Sequence, residues 1–416
     1  MVIYLSAGAV HLKTRWELEA MVQSPVYMDN HATTRVDPRV VESMLPFFHD
    51  VYGNPGSVNH VFGWESSASV KEARQSIAQL INATPKEIVF TSGATESNNL
   101  AIRGVVERKR RRGSHVVTLK TEHHAVLDPL ERINRGSHEV TFLEVGQQNE
   151  PTVGKVNLSM LRDAIRPDTC LVTVMLANNE IGVIQDLEAI GAVCREHGVL
   201  LHCDAAQAVG RVEIDVQRMN IDLLSLSAHK CYGPKGVGAL FIRKGSPNVR
   251  LEPLVTGGGQ ENGVRSGTLN PAGIVGMATA MKIAIDEMPE ENKRLRIMRN
   301  KLYSELSKQI TDVVLNGPPL EAEENRLANN LNMSFSNVDG EALMMSMREI
   351  AVSSGSACSS TNPEPSHVLR SIGLSDDMTR ASLRFGLGRF NTFEEVDFVI
   401  DLVASSVSRL RAMKTV

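Results

Sequence analysis

An aspartate and a lysine stand at the ends of two successive apolar segments in the middle of the chain. Asp204 follows residues 199–203, and Lys230 lies just after residues 222–227. Pyridoxal phosphate needs a lysine amine to hold its aldehyde and an anion to keep its pyridine nitrogen protonated. Either residue alone is weak support, since most lysines are solvated surface groups and an aspartate after a strand is commonly a cap. Together they predict a pyridoxal phosphate site, with Lys230 as the anchor and Asp204 facing the ring nitrogen.

Seven short apolar segments surround these two residues, and we interpret them as strands at 88–90, 115–119, 140–145, 171–176, 199–203, 222–227 and 237–243. Their nearly continuous apolar character is typical of strands buried on both faces of a parallel sheet. Only residues 228–236 separate the last two, too few for a parallel crossover, so we expect that pair to be antiparallel. The sequence therefore predicts an α/β fold with a mostly parallel seven-stranded sheet in a large domain at 37–288.

The pattern changes after about residue 288. An amphipathic helix at about 290–309, a Gly317-Pro318-Pro319 break, a strand at 331–335 and a last helix at about 394–412 predict a smaller α+β domain. We assign residues 1–36 and 289–416 to it, including an accessible, mobile loop at about 353–365 that carries Cys358. Residues 1–10 are mildly apolar and too short to span a bilayer, and we expect them to be a loose extension.

Polar residues follow three of the predicted strands. Residues 91–97 open a helix after the first strand, Asn178 and Asn179 follow a second, and Asp204 follows a third. In open α/β sheets ligands bind beyond the carboxyl ends of strands, and free amides at a helix start favour a phosphate. An ordinary N-cap explains residues 91–97 equally well.

Composition and charge favour a soluble, intracellular enzyme. The net charge of −4 gives no general attraction to nucleic acid or membrane. The five cysteines show no CxxC spacing, which argues against disulfides and a zinc site and favours the cytoplasm. The basic run at 108–112 is interpreted as the solvated end of a helix, and His123-His124 has no third ligand at metal-binding spacing.

Seven ordered motifs then carry a family resemblance. They are Asp29-Asn30-His31-Ala32-Thr33-Thr34, Thr91-Ser92-Gly93-Ala94-Thr95-Glu96-Ser97, Thr121-Glu122-His123, Asn178-Asn179-Glu180-Ile181-Gly182, Ser227-Ala228-His229-Lys230, Arg265-Ser266-Gly267-Thr268 and Ser353-Ser354-Gly355-Ser356-Ala357-Cys358. From about residue 26 to 411 the chain resembles cysteine desulfurases of the IscS and NifS type. The resemblance implies a homodimeric transferase of fold type I that uses pyridoxal 5′-phosphate to take sulfur from L-cysteine, leaving L-alanine.

The resemblance also implies roles for individual residues. Lys230 would hold the cofactor and then move the substrate's Cα proton, while His123 would stack on the ring and assist. Gln207 would donate to the ring's phenolic oxygen, and Arg384, helped by Asn179, would bind the substrate carboxylate. The phosphate would lie among Ala94, Thr95, Ser227 and His229, with Thr268 reaching in from the partner subunit.

Cys358 separates desulfuration from other pyridoxal chemistry. It lies in a serine-rich polar stretch, whereas Cys170, Cys194, Cys203 and Cys231 adjoin or lie inside apolar segments and are expected to be buried core residues. The family resemblance makes Cys358 the nucleophile that carries sulfur as a persulfide to an iron–sulfur scaffold or another acceptor protein. The chain ends at Val416, before the longer tail of the IscS relatives, which leaves the acceptor open.

Other functions are also compatible with Lys230 and Asp204. A selenocysteine lyase or an aminotransferase of the same fold would share both residues without requiring a thiol at position 358. A non-catalytic pyridoxal-binding protein is disfavoured because Lys230, His123, Cys358 and Arg384 are all present.

Overall fold

The computed structural model describes residues 2–6, 9–13, 22–109, 113–136, 138–354 and 364–414. Its largest element is a seven-stranded sheet. In spatial order the strands are Ile88–Thr91, Gly238–Ile242, Leu223–Ser227, Leu200–Asp204, Thr169–Met175, His115–Leu119 and Glu139–Leu143. Gly238–Ile242 runs antiparallel to both of its neighbours, and the pairs from Leu223–Ser227 to Glu139–Leu143 are parallel. The predicted α/β class, the mostly parallel sheet and its antiparallel pair are confirmed.

These strands are nearly continuous apolar runs in the sequence because their side chains are buried on both faces of the sheet. Neighbouring residues of one strand enter different cores: Leu223 packs into one hydrophobic cluster and Leu224 into another, as do Leu240 and Phe241. Successive side chains of a strand point to opposite faces, so the two clusters lie on the two sides of the sheet.

Helices cover both faces. The helices that precede residue 288 are Pro38–Met44, Pro46–His49, Val61–Leu80, Ala94–Lys109, His124–Asn134, Leu158–Ala164, Leu187–His197 and Pro271–Asp286. Residues of Val61–Leu80, Leu187–His197 and Pro271–Asp286 fill one core, and those of Ala94–Lys109 and His124–Asn134 fill the other. The sheet is thus the middle of three layers.

A second sheet lies in the later part of the chain. Its four antiparallel strands are, in spatial order, Val313–Leu315, Asn330–Phe335, Ser382–Gly386 and Ser353–Ser354. The helices of this part are Met288–Gln309, Gly340–Met345, His367–Ser371, Asp376–Arg380 and Phe393–Lys414. A third cluster, which includes Met298, Phe335 and Val399, forms its core. This separate core supports the predicted division at 37–288 and 289–416, which stays a prediction.

The N-terminal region differs in part from the expectation of a loose extension. Val2–Ser6 and Ala9–Lys13 pair as two antiparallel strands of a short hairpin. Farther along, Val26–Tyr27 pairs in parallel with Ile350–Ala351, which joins this region to the later lobe. Among the described helices, none has the length and apolar character needed to cross a bilayer.

Gly238 connects the sheet to the loop that precedes helix Ala94–Lys109. A Cβ at position 238 would lie 2.6 Å from Gly93 Cα and 2.5 Å from Leu226 O, which are both backbone atoms. We expect Gly238→Ala to lower the free energy of unfolding by about 1–3 kcal/mol through overpacking. Gly245→Ala, where nothing lies within 4 Å of the added atom, should change it by less than about 0.5 kcal/mol. Chemical denaturation of both variants tests this, and equal stabilities would contradict it.

Candidate active site

A cavity of about 500 Å³ opens beyond the carboxyl ends of the parallel strands. Met175 pairs with Asp204, and Asp204 pairs with Ser225, so three neighbouring strands end at one edge. The cavity brings together many of the residues singled out in the sequence: Ala94, Thr95, His123, Asn179, Asp204, Gln207, Ser227, His229 and Lys230. Their arrangement follows from the topology of the sheet.

Asp204 presents a buried carboxylate at the end of its strand. Its Oδ2 accepts a hydrogen bond from Asn98 Nδ2 at 2.7 Å, and its Oδ1 accepts one from the Ala206 amide at 2.9 Å. The side chain is therefore fixed in position by a neighbouring helix and by its own turn. A fixed carboxylate in a cavity can pair with a protonated ring nitrogen.

Lys230 ends the short 3₁₀ helix Ala228–Lys230, next to the carboxyl end of strand Leu223–Ser227. Its Nζ donates to the carbonyls of His31 at 2.7 Å and Ala32 at 2.6 Å. Burial lowers the pKa of Lys230 to about 8, and the positive charges of Arg384 and Arg211 act in the same direction. The amine therefore has an appreciable neutral fraction near pH 7, as a nucleophile or a base requires.

Several groups at one side of the cavity suit a phosphate. Helix Ala94–Lys109 begins there, and Ala94 and Thr95 line the cavity. The Ser227 hydroxyl is buried and has no hydrogen-bond partner among the described residues. The His229 ring contacts Thr33 Oγ1 at 3.0 Å, and burial lowers the pKa of His229 to about 4. Helix amides and an unpaired buried hydroxyl are donors that an anion would satisfy.

His123 caps the helix that follows it. Its Nδ1 accepts the Ala125 amide proton at 3.0 Å, which leaves Nε2 as the nitrogen that carries hydrogen in the neutral ring. Burial lowers the pKa of His123, and the charge of Asp204 opposes that shift. Glu122 beside it is fully buried, and its Oε1 accepts a hydrogen bond from the Met175 amide at 2.8 Å. Burial raises the pKa of this carboxyl well above its usual value.

Arg384 comes from the second sheet, on strand Ser382–Gly386. Its Nη2 donates to Asp29 Oδ1 at 2.8 Å and to Ser353 Oγ at 2.9 Å, and its Nη1 donates to the Asn179 carbonyl at 3.2 Å. Its Nε is buried and has no partner within the described part of the chain. The guanidinium is thus held against Asn179, which lines the cavity.

Not every predicted site residue lines the cavity: Arg384 contacts Asn179 of its wall but is not itself a lining residue. Thr268 is exposed and is not part of the cavity wall of the single chain. Cys358 lies in 355–363, outside the described residues. Cys170, Cys194, Cys203 and Cys231 are buried, as predicted. Burial raises the pKa of Cys194 and of Cys231 to about 12, so neither thiol is an effective nucleophile near neutral pH.

Sequence reasoning missed two polar side chains of the site. Asn98, which fixes Asp204, lies one turn after Thr95, and its helical spacing places it on the same face. Asp29 belongs to a motif that was recognised, yet its contact with Arg384 spans 355 positions. Helical periodicity could have indicated Asn98, whereas no local signal indicates the partner of Asp29.

Comparisons with known proteins agree with this geometry. The model of the class V aminotransferase family matches residues 26–399. A cysteine desulfurase IscS of Methylococcus capsulatus is 52% identical over 387 residues, which cover 93% of each chain. A solved NifS-like protein has a TM-score of 0.85 at 37% identity and covers 93% of this chain and 100% of its own. A second structure, SspA in complex with cysteine, has a TM-score of 0.75 at 36% identity, with coverages of 88% and 100%.

The low basicity of Lys230 can be measured without turnover. In ligand-free protein, we expect trace acylation of Lys230, followed by mass spectrometry over pH 6–11, to show a midpoint of about 8, against about 10.4 for an ordinary lysine. Arg384→Met should raise the midpoint because it removes a nearby positive charge. Arg135→Met, at a side chain that is 82% exposed, is the control and should leave it unchanged. A wild-type midpoint above 10 would contradict the assigned environment.

Proposed function

The chain belongs to the class V aminotransferase family and to its cysteine desulfurases, and we propose that it uses pyridoxal 5′-phosphate to take sulfur from L-cysteine, leaving L-alanine. The observation that carries this proposal is a single cavity in which Asp204, Lys230 and Ser227 lie together. Asp204 supplies a fixed anion, Lys230 an amine of lowered pKa, and Ser227 an unsatisfied donor. These residues fit the three ends of the cofactor: its ring nitrogen, aldehyde and phosphate.

The cofactor, when bound, supplies an aldehyde that links to amines and a ring that withdraws electrons. The protein supplies the binding and the proton transfers. Asp204 would hold the proton on the ring nitrogen, because a buried anion favours the protonated form. Ala94, Thr95, Ser227 and His229 would bind the phosphate, and Gln207 would donate to the phenolic oxygen.

We assign the proton transfers to Lys230. A pKa of about 8 lets its Nζ take the Cα proton of the substrate and return it near neutral pH. His123 would stack on the ring and present Nε2–H to the reacting atoms, since its Nδ1 is occupied by the Ala125 amide. The neutral state of His123 follows from its burial.

We assign the orientation of the substrate to Arg384. Asp29 and Ser353 already hold one end of its guanidinium, so the group is oriented before the substrate arrives. The guanidinium, which contacts the Asn179 carbonyl, would donate to the carboxylate of L-cysteine, and Asn179 at the cavity wall would assist.

Cys358 would accept the sulfur as a persulfide and pass it to an iron–sulfur scaffold or another acceptor protein. The residues that flank 355–363 support this role, since Ser353 contacts Arg384 and Ser366 donates to Glu180 beside Asn179. Buried thiols with raised pKa values, such as those of Cys194 and Cys231, are unsuited to the task. A cytoplasmic location stays a prediction.

The proposed active unit is a homodimer in which Thr268 reaches the phosphate site of the partner. An unusual concentration of exposed apolar side chains supports it: Val41, Leu45, Phe48, Tyr52, Val58, Val61, Phe62 and Trp64. The helices of this surface pack on helix Pro271–Asp286, whose N-cap is Asn270, two residues after Thr268. Apolar surface of this extent is typical of obligate interfaces.

The thiol at position 358 provides the test of function. We expect Cys358→Ser to bind pyridoxal phosphate and L-cysteine but to form L-alanine at least about a hundredfold more slowly, because a hydroxyl is a poor nucleophile toward sulfur at neutral pH. Mass spectrometry of the wild type after incubation with L-cysteine should locate the added sulfur on the peptide that contains Cys358. Alanine and persulfide are measured side by side.

The matched control is Ser356→Ala, which alters the same segment and retains the thiol, and it should behave as the wild type. Full desulfurase activity of Cys358→Ser would contradict the proposed sulfur route. Transamination or selenocysteine cleavage that is unaffected by Cys358→Ser, without alanine from L-cysteine, would instead favour one of the alternative enzymes.

The dimer can be tested at the apolar surface. Phe48 is 66% exposed in the single chain, and a charge there would face the partner twice across a two-fold axis. We expect Phe48→Asp to weaken dimerisation at least about tenfold in sedimentation equilibrium. Met345→Asp changes a residue of similar exposure, 72%, in the later lobe and should leave it intact. A fully active wild-type monomer would refute the proposed role of Thr268.

A further inference from the structure

His31 is buried between the two lobes, and the proposed chemistry gives its ring no role. The side chain is 1% exposed. Its Nδ1 lies 3.1 Å from Gln207 Oε1, and its Nε2 lies 3.3 Å from Asn330 Nδ2. Gln207 lines the cavity, whereas Asn330 begins a strand of the second sheet. The ring therefore connects the second sheet to a residue of the cofactor site.

At the Asn330 end of this hydrogen-bond network, it is fixed which atoms donate and which accept. Arg326 Nη2 donates to Asn330 Oδ1 at 3.0 Å, and a guanidinium cannot accept. The Asn330 Nδ2 group also donates to the Glu180 carbonyl at 3.0 Å. Asn330 consequently directs an N–H toward His31 Nε2, which must be the acceptor.

The Gln207 end is fixed independently. Gln207 Nε2 lies 2.8 Å from the His31 carbonyl, which can only accept, so this end of the amide is the NH₂ group. Its other end, Oε1, is then an acceptor facing His31 Nδ1. Both ends of the network require the same state of the ring, a neutral imidazole with hydrogen on Nδ1.

The electrostatic surroundings favour the same state. Burial lowers the pKa of His31 well below its usual value, and the positive charges of Arg384, Arg211 and Lys230 add to the shift. A second proton on Nε2 would also face the Asn330 N–H directly, donor against donor. The imidazole is therefore held neutral by geometry and by charge.

We propose that His31 is a positioning residue that clamps the amide of Gln207, through its ring Nδ1–H and its own carbonyl, so that the remaining Nε2–H of Gln207 points to the phenolic oxygen of pyridoxal phosphate. This inference rests on the proposed function. It adds the residue that orients the amide of Gln207, which would donate a hydrogen bond to the phenolic oxygen. One Nε2 hydrogen is used by the His31 carbonyl, and the second is left for the cavity that Gln207 lines. Asn330, at the start of a strand of the second sheet, and Arg326, in the segment before that strand, fix the clamp from its other side.

Two matched substitutions separate the two ring nitrogens. The amide nitrogen of His31→Asn can take the place of Nδ1–H, whereas His31→Gln places its terminal group near Nε2 and leaves no donor facing Gln207. We expect His31→Gln to weaken binding of pyridoxal 5′-phosphate about tenfold, as the loss of one buried hydrogen bond predicts. His31→Asn should retain affinity within about threefold of the wild type. Equilibrium dialysis measures both constants.

The analogue 3-deoxypyridoxal 5′-phosphate, which lacks the phenolic oxygen, supplies the decisive control. If His31 acts through Gln207 on that oxygen, His31→Gln and the wild type should bind the analogue equally. An equal loss for cofactor and analogue would overturn the proposal and leave His31 a merely structural residue. A wild type that binds neither compound would instead refute the proposed function.

The ring state can be measured in the wild-type protein, and a variant serves only to assign the His31 resonance. Nitrogen-15 NMR of histidine-labelled wild-type protein should show His31 neutral with its proton on Nδ1 throughout pH 6–8, both with and without cofactor. His31→Asn identifies the resonance by its disappearance. A protonated ring, or a neutral ring with hydrogen on Nε2, would overturn the proposal.

Discussion

Parallel pairing of three buried strands is the constraint on which the site depends. Because Met175, Asp204 and Ser225 lie in register across Thr169–Met175, Leu200–Asp204 and Leu223–Ser227, the turns that follow these strands converge at one edge of the sheet. Each strand end positions one residue there. The Asn179 carbonyl accepts a hydrogen bond from Arg384, Asp204 accepts one from Asn98, and Lys230 donates one to the His31 carbonyl. A change of register in any pair would turn these side chains to the other face. The cores on both sides of the sheet therefore stabilise the geometry of the site as well as the fold.

Burial is the main cause of the lowered pKa of Lys230, and the charges around it act in opposite directions. Arg384 and Arg211 lower the pKa of Lys230, whereas Asp29 and Asp204 raise it. The balance leaves an amine that is weakly basic without being fully neutral. The same cations oppose protonation of His31. Arg384 is thus both a candidate ligand for a carboxylate and a source of the field in which Lys230 and His31 act, so its replacement would alter proton transfer together with substrate binding.

Local patterns in the sequence predicted the sheet well, because buried parallel strands are apolar throughout and their connecting segments have characteristic lengths. The antiparallel position of Gly238–Ile242 followed from the nine residues before it. The roles of Gln207, His229 and Arg384 were predicted from the position-by-position resemblance to the family. The spacing of these residues in the sequence does not identify them. The contacts of Asp29 and His31 could not be predicted, because they join residues about 300 positions apart through folding of the second lobe onto the first. The short N-terminal strands were missed because apolar segments of about five residues are too short for periodicity to identify as strands.

The second sheet positions Arg384 and Asn330, which contact Asn179 and His31. Asn332 and Arg384 are in register, as are Asn330 and Gly386, so Arg384, which contacts Asp29, and Asn330, which contacts His31, come from neighbouring positions of one strand pair. Residues 29–31 cross this pair so closely that a Cβ on Gly386 would lie 2.9 Å from the His31 backbone nitrogen. The segment cannot shift without moving Asp29 against Arg384 and His31 against Gln207 together. Because residues 29–31 form one continuous backbone segment, the Asp29–Arg384 contact and the His31–Gln207 contact are coupled through it. Under the proposed function, the orientation of Arg384 would then be linked to that of the Gln207 amide.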